Sequence, residues 1–98
     1  MEMEMEMEMK DKYYYKDGSM LDYREVTKVL HRLDGPAVEY ADGDKEWYVD
    51  GKRHRLDGPA IEHADGDKEW YVDDKRLTYE QFENYRSEIF ERNVLDGK

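Results

Sequence analysis

HRLDGPAVEYADGDKEWYVDGKR, residues 31–53, is followed at once by HRLDGPAIEHADGDKEWYVDDKR, residues 54–76. The copies differ only at Val38/Ile61, Tyr40/His63 and Gly51/Asp74. A fixed period of 23 residues marks a stacked architecture, because one such unit cannot bury its apolar face alone. The expected fold is mainly β. Stacked antiparallel β-hairpin repeats of 23 residues form one twisted sheet, with a C-terminal capping α-helix.

Each copy reads as strand, turn, strand, turn, strand. In the first, residues 37–41 and 45–49 flank Asp42-Gly43-Asp44. Asp50-Gly51 then makes a two-residue hairpin turn that needs positive φ at both positions. Residues 52–56 return, and Pro59, which has no amide donor, belongs at a bend or strand start. Asp73-Asp74 replaces Asp-Gly in the next copy, so a strained or altered turn is expected there.

The hairpin register sets Val49 against Lys52 and Tyr48 against Arg53. One face then carries Trp47, Val49, His54 and Leu56, joined by Val38 and Tyr40 whether the preceding turn centres on Asp42-Gly43 or Gly43-Asp44. The other carries Glu39, Glu46, Tyr48, Arg53 and Arg55. The Trp face is taken as the core. In the second copy Ile61, Trp70 and Val72 point inward, and Glu62, Glu69, Tyr71 and Arg76 outward.

On either side the pattern degrades. Residues 11–30 are a worn copy in which Tyr15-Lys16-Asp17-Gly18-Ser19 keeps the Asp-Gly turn, while the second turn becomes Thr27-Lys28. Terminal units of arrays are often atypical. Residues 1–10, MEMEMEMEMK, alternate with period two, as an edge strand with a Met face or as an acidic tail. Residues 77–93 read as the capping helix, with its helical core at 78–92. Thr78 and Gln81 form a capping box, Leu77 and Phe82 a hydrophobic staple, and Phe82, Tyr85 and Ile89 an apolar stripe.

Composition narrows the function classes. The 98 residues make one domain with 43% charged residues and a net charge of −10. Direct nucleic-acid or anionic-membrane binding would oppose that field, whereas a basic protein would be steered towards it. There is no Cys and no apolar run long enough for a bilayer. The expected location is cytoplasmic. His31, His54 and His63 are too few and too scattered for a metal, so no cofactor is expected; His31 and His54 are expected to bond turn carbonyls. Ser19 and Ser87 lack a His at motif spacing, and the Asp pairs sit in exposed turns, so no enzyme is expected.

Two surfaces remain as partner-binding candidates. One is the Tyr48, Arg53, Tyr71 and Arg76 row, of residue types that dominate interface energetics. The other is the turn row Asp42, Asp44, Asp65 and Asp67, which imitates nucleic-acid phosphates if it is regular. A homo-oligomer through residues 1–9 is a third alternative.

Glu46-Trp47-Tyr48-Val49-Asp50-Gly51-Lys52-Arg53-His54, followed by Gly58 and Ala64-Asp65-Gly66, resembles the membrane occupation and recognition nexus (MORN) repeat. It is closer to the "HRxDGPA…W(Y)xxGK" repeats of small uncharacterised proteins of bacteriophages and large DNA viruses. Those often end in a helix like the one DDKRLTYEQF opens here. The chain departs from the MORN pattern at Arg55, where Gly is usual, and at Asp67-Lys68-Glu69. The resemblance implies stacked hairpins and protein–protein interaction: a viral inhibitor or adaptor acting on a host protein such as a defence factor.

Overall fold

The structure is a computed structural model, and it describes residues 10–96, with side chains described as far as Ile89. The Met/Glu strand expected at 1–10 falls almost wholly outside the described residues.

Nine short strands and one helix follow in order. They are β1 (Lys12–Tyr14), β2 (Met20–Leu21), β3 (Val38–Glu39), β4 (Lys45–Glu46), β5 (Tyr48–Val49), β6 (Lys52–Arg53), β7 (Ile61–Glu62), β8 (Lys68–Val72), β9 (Lys75–Leu77) and α1 (Tyr79–Asp96). A seven-stranded antiparallel sheet runs β2-β1-β3-β4-β7-β8-β9, and β5-β6 form a second, two-stranded sheet. The expected mainly β, hairpin-stacked architecture with a C-terminal helix is present. The single sheet is divided, however, because the strand expected over 45–49 breaks at Trp47. The Trp47 amide is drawn to the Ala60 carbonyl of the next copy (2.7 Å), while its own carbonyl accepts the His54 amide (3.1 Å). No further copy follows Trp70, and there β8 runs unbroken.

The register of the second hairpin is as read from the sequence, with Tyr48 opposite Arg53 and Val49 opposite Lys52. Asp50 and Gly51 both have positive φ (52° and 79°). Asp73 and Asp74 adopt the same turn (φ 51° and 68°), so the turn is not altered, and its strain falls on Asp74. The Asp74 carboxylate offsets that strain by accepting the Arg53 amide at 2.8 Å.

The first hairpin differs from expectation. Val38 pairs with Glu46 and Glu39 with Lys45. The Tyr40 amide donates to Asp44 O, and the Gly43 amide to Tyr40 O. This is a three-residue loop with Gly43 at φ 104°, not a turn centred on two residues. One residue of slip flips every side chain to the other face. Val38 and Tyr40 therefore share the face of Glu46 and Tyr48, not that of Trp47, and the assignment of the Trp face as core is corrected. Tyr15, Leu30, Ala37 and Val38 form the buried cluster, with Tyr13, Leu21, Tyr40 and Tyr48 packed against it. Trp47 is only half-buried and Leu56 is exposed.

The worn copy keeps the first turn: Tyr15 and Ser19 close the loop, with Gly18 at φ 90°. Its second hairpin is gone. The Tyr15 hydroxyl takes over, accepting the Glu25 amide (2.7 Å) and donating to the Tyr23 carbonyl (3.1 Å).

At the other end the capping box forms as expected. The Gln81 amide donates to Thr78 Oγ1 (3.1 Å) and the Thr78 amide to Gln81 Oε1 (2.9 Å). Phe82 is fully buried, Ile89 is half-buried, and Tyr85 of the expected stripe is exposed. Among the described residues no helix is long and apolar enough to cross a membrane.

Candidate functional site

The Tyr/Arg row lies on the face of the buried cluster, where β5-β6 meets β8-β9. Arg53 sits between two aromatic rings, 5.7 Å from the centroid of Tyr48 and 5.4 Å from that of Tyr71. Each ring hydroxyl is tied down by a carboxylate two residues back. Tyr48 donates to Glu46 (2.8 Å) and Tyr71 to Glu69 (3.3 Å). Burial and then the Glu46 carboxylate push the Tyr48 phenol well above its ordinary range; Tyr40 beside it is pushed up to about 12, chiefly by burial. Both phenols stay protonated at neutral pH and act as donors. Arg53 Nε is buried without a hydrogen-bond partner. The row ends in Arg76, which is exposed and 3.9 Å from Glu69. Tyr48, Arg53, Tyr71 and Arg76 are thus brought together, with the first three half-buried rather than laid open.

The turn aspartates are placed differently. Asp42 and Asp65 each accept the amide two residues on (3.0 Å), so one carboxylate oxygen of each shapes its own turn. Asp44 is taken up between copies: its Oδ1 accepts the Ala64 amide (2.6 Å), and its Oδ2 lies 3.6 Å from His63. Asp67, its counterpart in the last copy, is exposed. Each copy adds two strands to the main sheet, which sets equivalent turns about 10 Å apart. Duplex DNA carries a charge about every 1.7 Å of its axis. The row is therefore sparse as a phosphate imitation, and Lys45 and Lys68 stand beside it.

His31 and His54 bond the turn of the next hairpin, though not through a carbonyl as expected. The Asp50 amide donates to His31 Nδ1 (2.9 Å) and the Asp73 amide to His54 Nδ1 (3.1 Å). The turn carbonyl is not the partner, because the amide of a positive-φ turn residue points at the preceding copy. Among the described residues no group of three or more His, Cys, Asp or Glu is placed to hold a metal.

A feature missed in the sequence is the role of HRLDGPA itself. Arg55 folds back under its own loop, donating to Asp57 (2.9 Å), the Pro59 carbonyl (2.9 Å) and Glu62 (3.0 Å), with its guanidinium 3.8 Å from the Trp47 ring centroid. Arg32 repeats this with Asp34, Pro36, Glu39 and Tyr14. A Cβ on Gly58 would lie 2.8 Å from the Arg55 guanidinium carbon, and on Gly35 3.1 Å from that of Arg32. Glycine is needed because the guanidinium fills its side-chain space. Between the two loops lies an open groove of about 630 Å³, with Trp47, Val49 and His54 along it and Leu33, Asp34, Leu56 and Asp57 on its loops. The repetition of Arg, Asp and Gly at fixed offsets was the available signal.

No family model, curated protein or solved structure matches the chain.

Proposed function

We propose that this chain is a non-enzymatic protein-binding repeat module whose contact surface is centred on the Tyr48–Arg53–Tyr71–Arg76 row. The observation that carries the reading is Arg53: its guanidinium lies between two rings, with Nε desolvated and unbonded. A cation already stripped of water there costs less to bury against a second protein than a fully hydrated one. The flanking tyrosines offer broad, rigid area with fixed hydroxyls. The net charge of −10 steers a basic partner towards the molecule. On the resemblance to phage and large-virus repeat proteins, the partner is a host protein such as a defence factor, met in the cytoplasm of the infected cell. The commitment of Asp44 to the next copy favours this reading over phosphate imitation.

The test is affinity capture with the tagged full chain from nuclease-treated lysate at low and moderate salt. The expected result is one dominant protein retained at moderate salt and lost when Arg76 and Tyr71 are replaced together by Ala. Capture of several nucleic-acid enzymes that wash off as salt rises would replace this reading with the acidic-mimic one.

A further inference from the structure

The groove on the other side of the β5-β6 hairpin has a counterpart one repeat later, and the chain itself fills that counterpart. Moving 23 residues along, Trp47 becomes Trp70, Val49 becomes Val72, and Leu56-Asp57 becomes Tyr79-Glu80, where α1 begins. There Phe82 of α1 is fully buried, with its ring centroid 6.3 Å from Trp70, and Tyr79 meets Trp70 edge-on at 5.2 Å. Val72 is buried as a result, whereas Val49 is only half-buried. The same floor is thus covered by an aromatic-bearing helix in the last copy and left open in the copy before it.

We propose that the open groove is a docking site for an amphipathic, basic helix of a partner protein, anchored by one aromatic side chain over Val49 and Trp47. This rests on the protein-binding reading above and adds a second surface to it. Three observations support the occupant. A helix is about 10–12 Å across with its side chains, and the loops on either side are separated by two strand spacings, about 10 Å. Leu33 is 79% exposed and Leu56 40% exposed, on successive loops, where they can grip the apolar flanks of such a helix. The next residue on each loop is acidic and open, with the side chains of Asp34 and Asp57 89% and 83% exposed. Each gives one oxygen to its loop arginine and leaves the other for a lysine or arginine of the partner.

The experiment screens a displayed library of randomised helical peptides against the full chain. Enriched peptides are then tested on an L33D/L56D variant, whose substitutions lie at exposed positions and whose fold is checked by circular dichroism. The expected result is convergence on one aromatic flanked by Lys and Arg, perturbation of Trp47 fluorescence, and binding to the variant about tenfold or more weaker. Peptides without an aromatic, or peptides that bind the variant as well as the parent, would overturn the groove proposal and leave the protein-binding reading standing. A library that enriches nothing on any surface would count against both.

Discussion

Trp47 and Trp70 stand at the same place in copies that differ at three of 23 positions, yet their surroundings differ. Trp47 lies under the guanidinium of Arg55 beside an open groove, and its amide belongs to the following copy. Trp70 lies in an unbroken strand against Tyr79 and Phe82 of the helix. The residue's own copy is nearly the same in both cases, so the neighbour decides. In a stacked array, the environment of a side chain is written about 23 residues downstream of it.

The largest test of that statement removes the neighbour that Trp70 has and Trp47 lacks. Phe82→Ala empties a fully buried aromatic site and is expected to cost about 3–5 kcal/mol in urea unfolding. Trp70 emission should then move towards that of a half-buried indole. Should the cost stay near the few tenths expected of an exposed position, α1 is not what closes the array. Leu56→Ala, on the open groove, is the matched control and should change stability by well under 1 kcal/mol.

Gly58→Ala acts on the arginine that stands over Trp47. The backbone tolerates alanine there, but the new methyl displaces the Arg55 guanidinium from Asp57, Pro59 and Glu62 together. A cost of about 1–2 kcal/mol is expected. Gly35→Ala, with slightly more room at Arg32, should cost less. Equal costs would mean that the arginines swing aside freely and that the loop geometry does not depend on them.

Much of this was legible beforehand. The repeat, the Asp-Gly hairpin register, the capping box at Thr78 and the covering of the last copy by a helix all follow from local rules. Those rules need only residues a few positions apart. The faces of the main sheet were misread because the Asp42-Gly43-Asp44 loop takes three residues and not two. That choice depends on Gly43 entering positive φ, and its effect reaches every side chain of the sheet. The folded-back arginines were hidden for another reason. Arg55 reads as an outward charge in an alternating strand, but the chain leaves extended geometry at Leu56, and nothing in the alternation reports the stop.

Asp74 offers a smaller test, since Asp74→Gly makes the two second turns alike. Two effects oppose each other: relief of positive φ at a residue with a Cβ, and loss of the carboxylate bond to the Arg53 amide. Each is about 1 kcal/mol, so the net change should stay within about 1 kcal/mol. Asp74→Ala keeps the strain and loses the bond, and should destabilise by about 1–2 kcal/mol. An alanine variant as stable as the glycine one would remove the carboxylate from the account.

The smallest expected effect is the most specific to one copy, because it depends on His63 where the other copy has Tyr40. His63 Nε2 lies 2.9 Å from Glu69, and Nδ1 lies 3.6 Å from Asp44, so the imidazole sits between two carboxylates from successive hairpins. The Glu69 bond, with Asp44 behind it, raises the His63 pKa above its ordinary value, and the same bond lowers that of Glu69, which Arg76 also faces. The raised imidazole stabilises the fold fully below the unfolded histidine value of about 6.5 and stops doing so as pH rises through its folded value. The lowered Glu69 contributes above the unfolded carboxylate value and loses that contribution as pH falls through its folded one. The advantage of the parent over His63→Tyr, read from urea midpoints, should therefore be greater at about pH 5.5 than at about pH 8.5. A gap that is constant or widens towards alkaline pH would mean that the carboxylates do not hold the proton on His63. The two copies would then be joined by the Asp44–Ala64 bond alone.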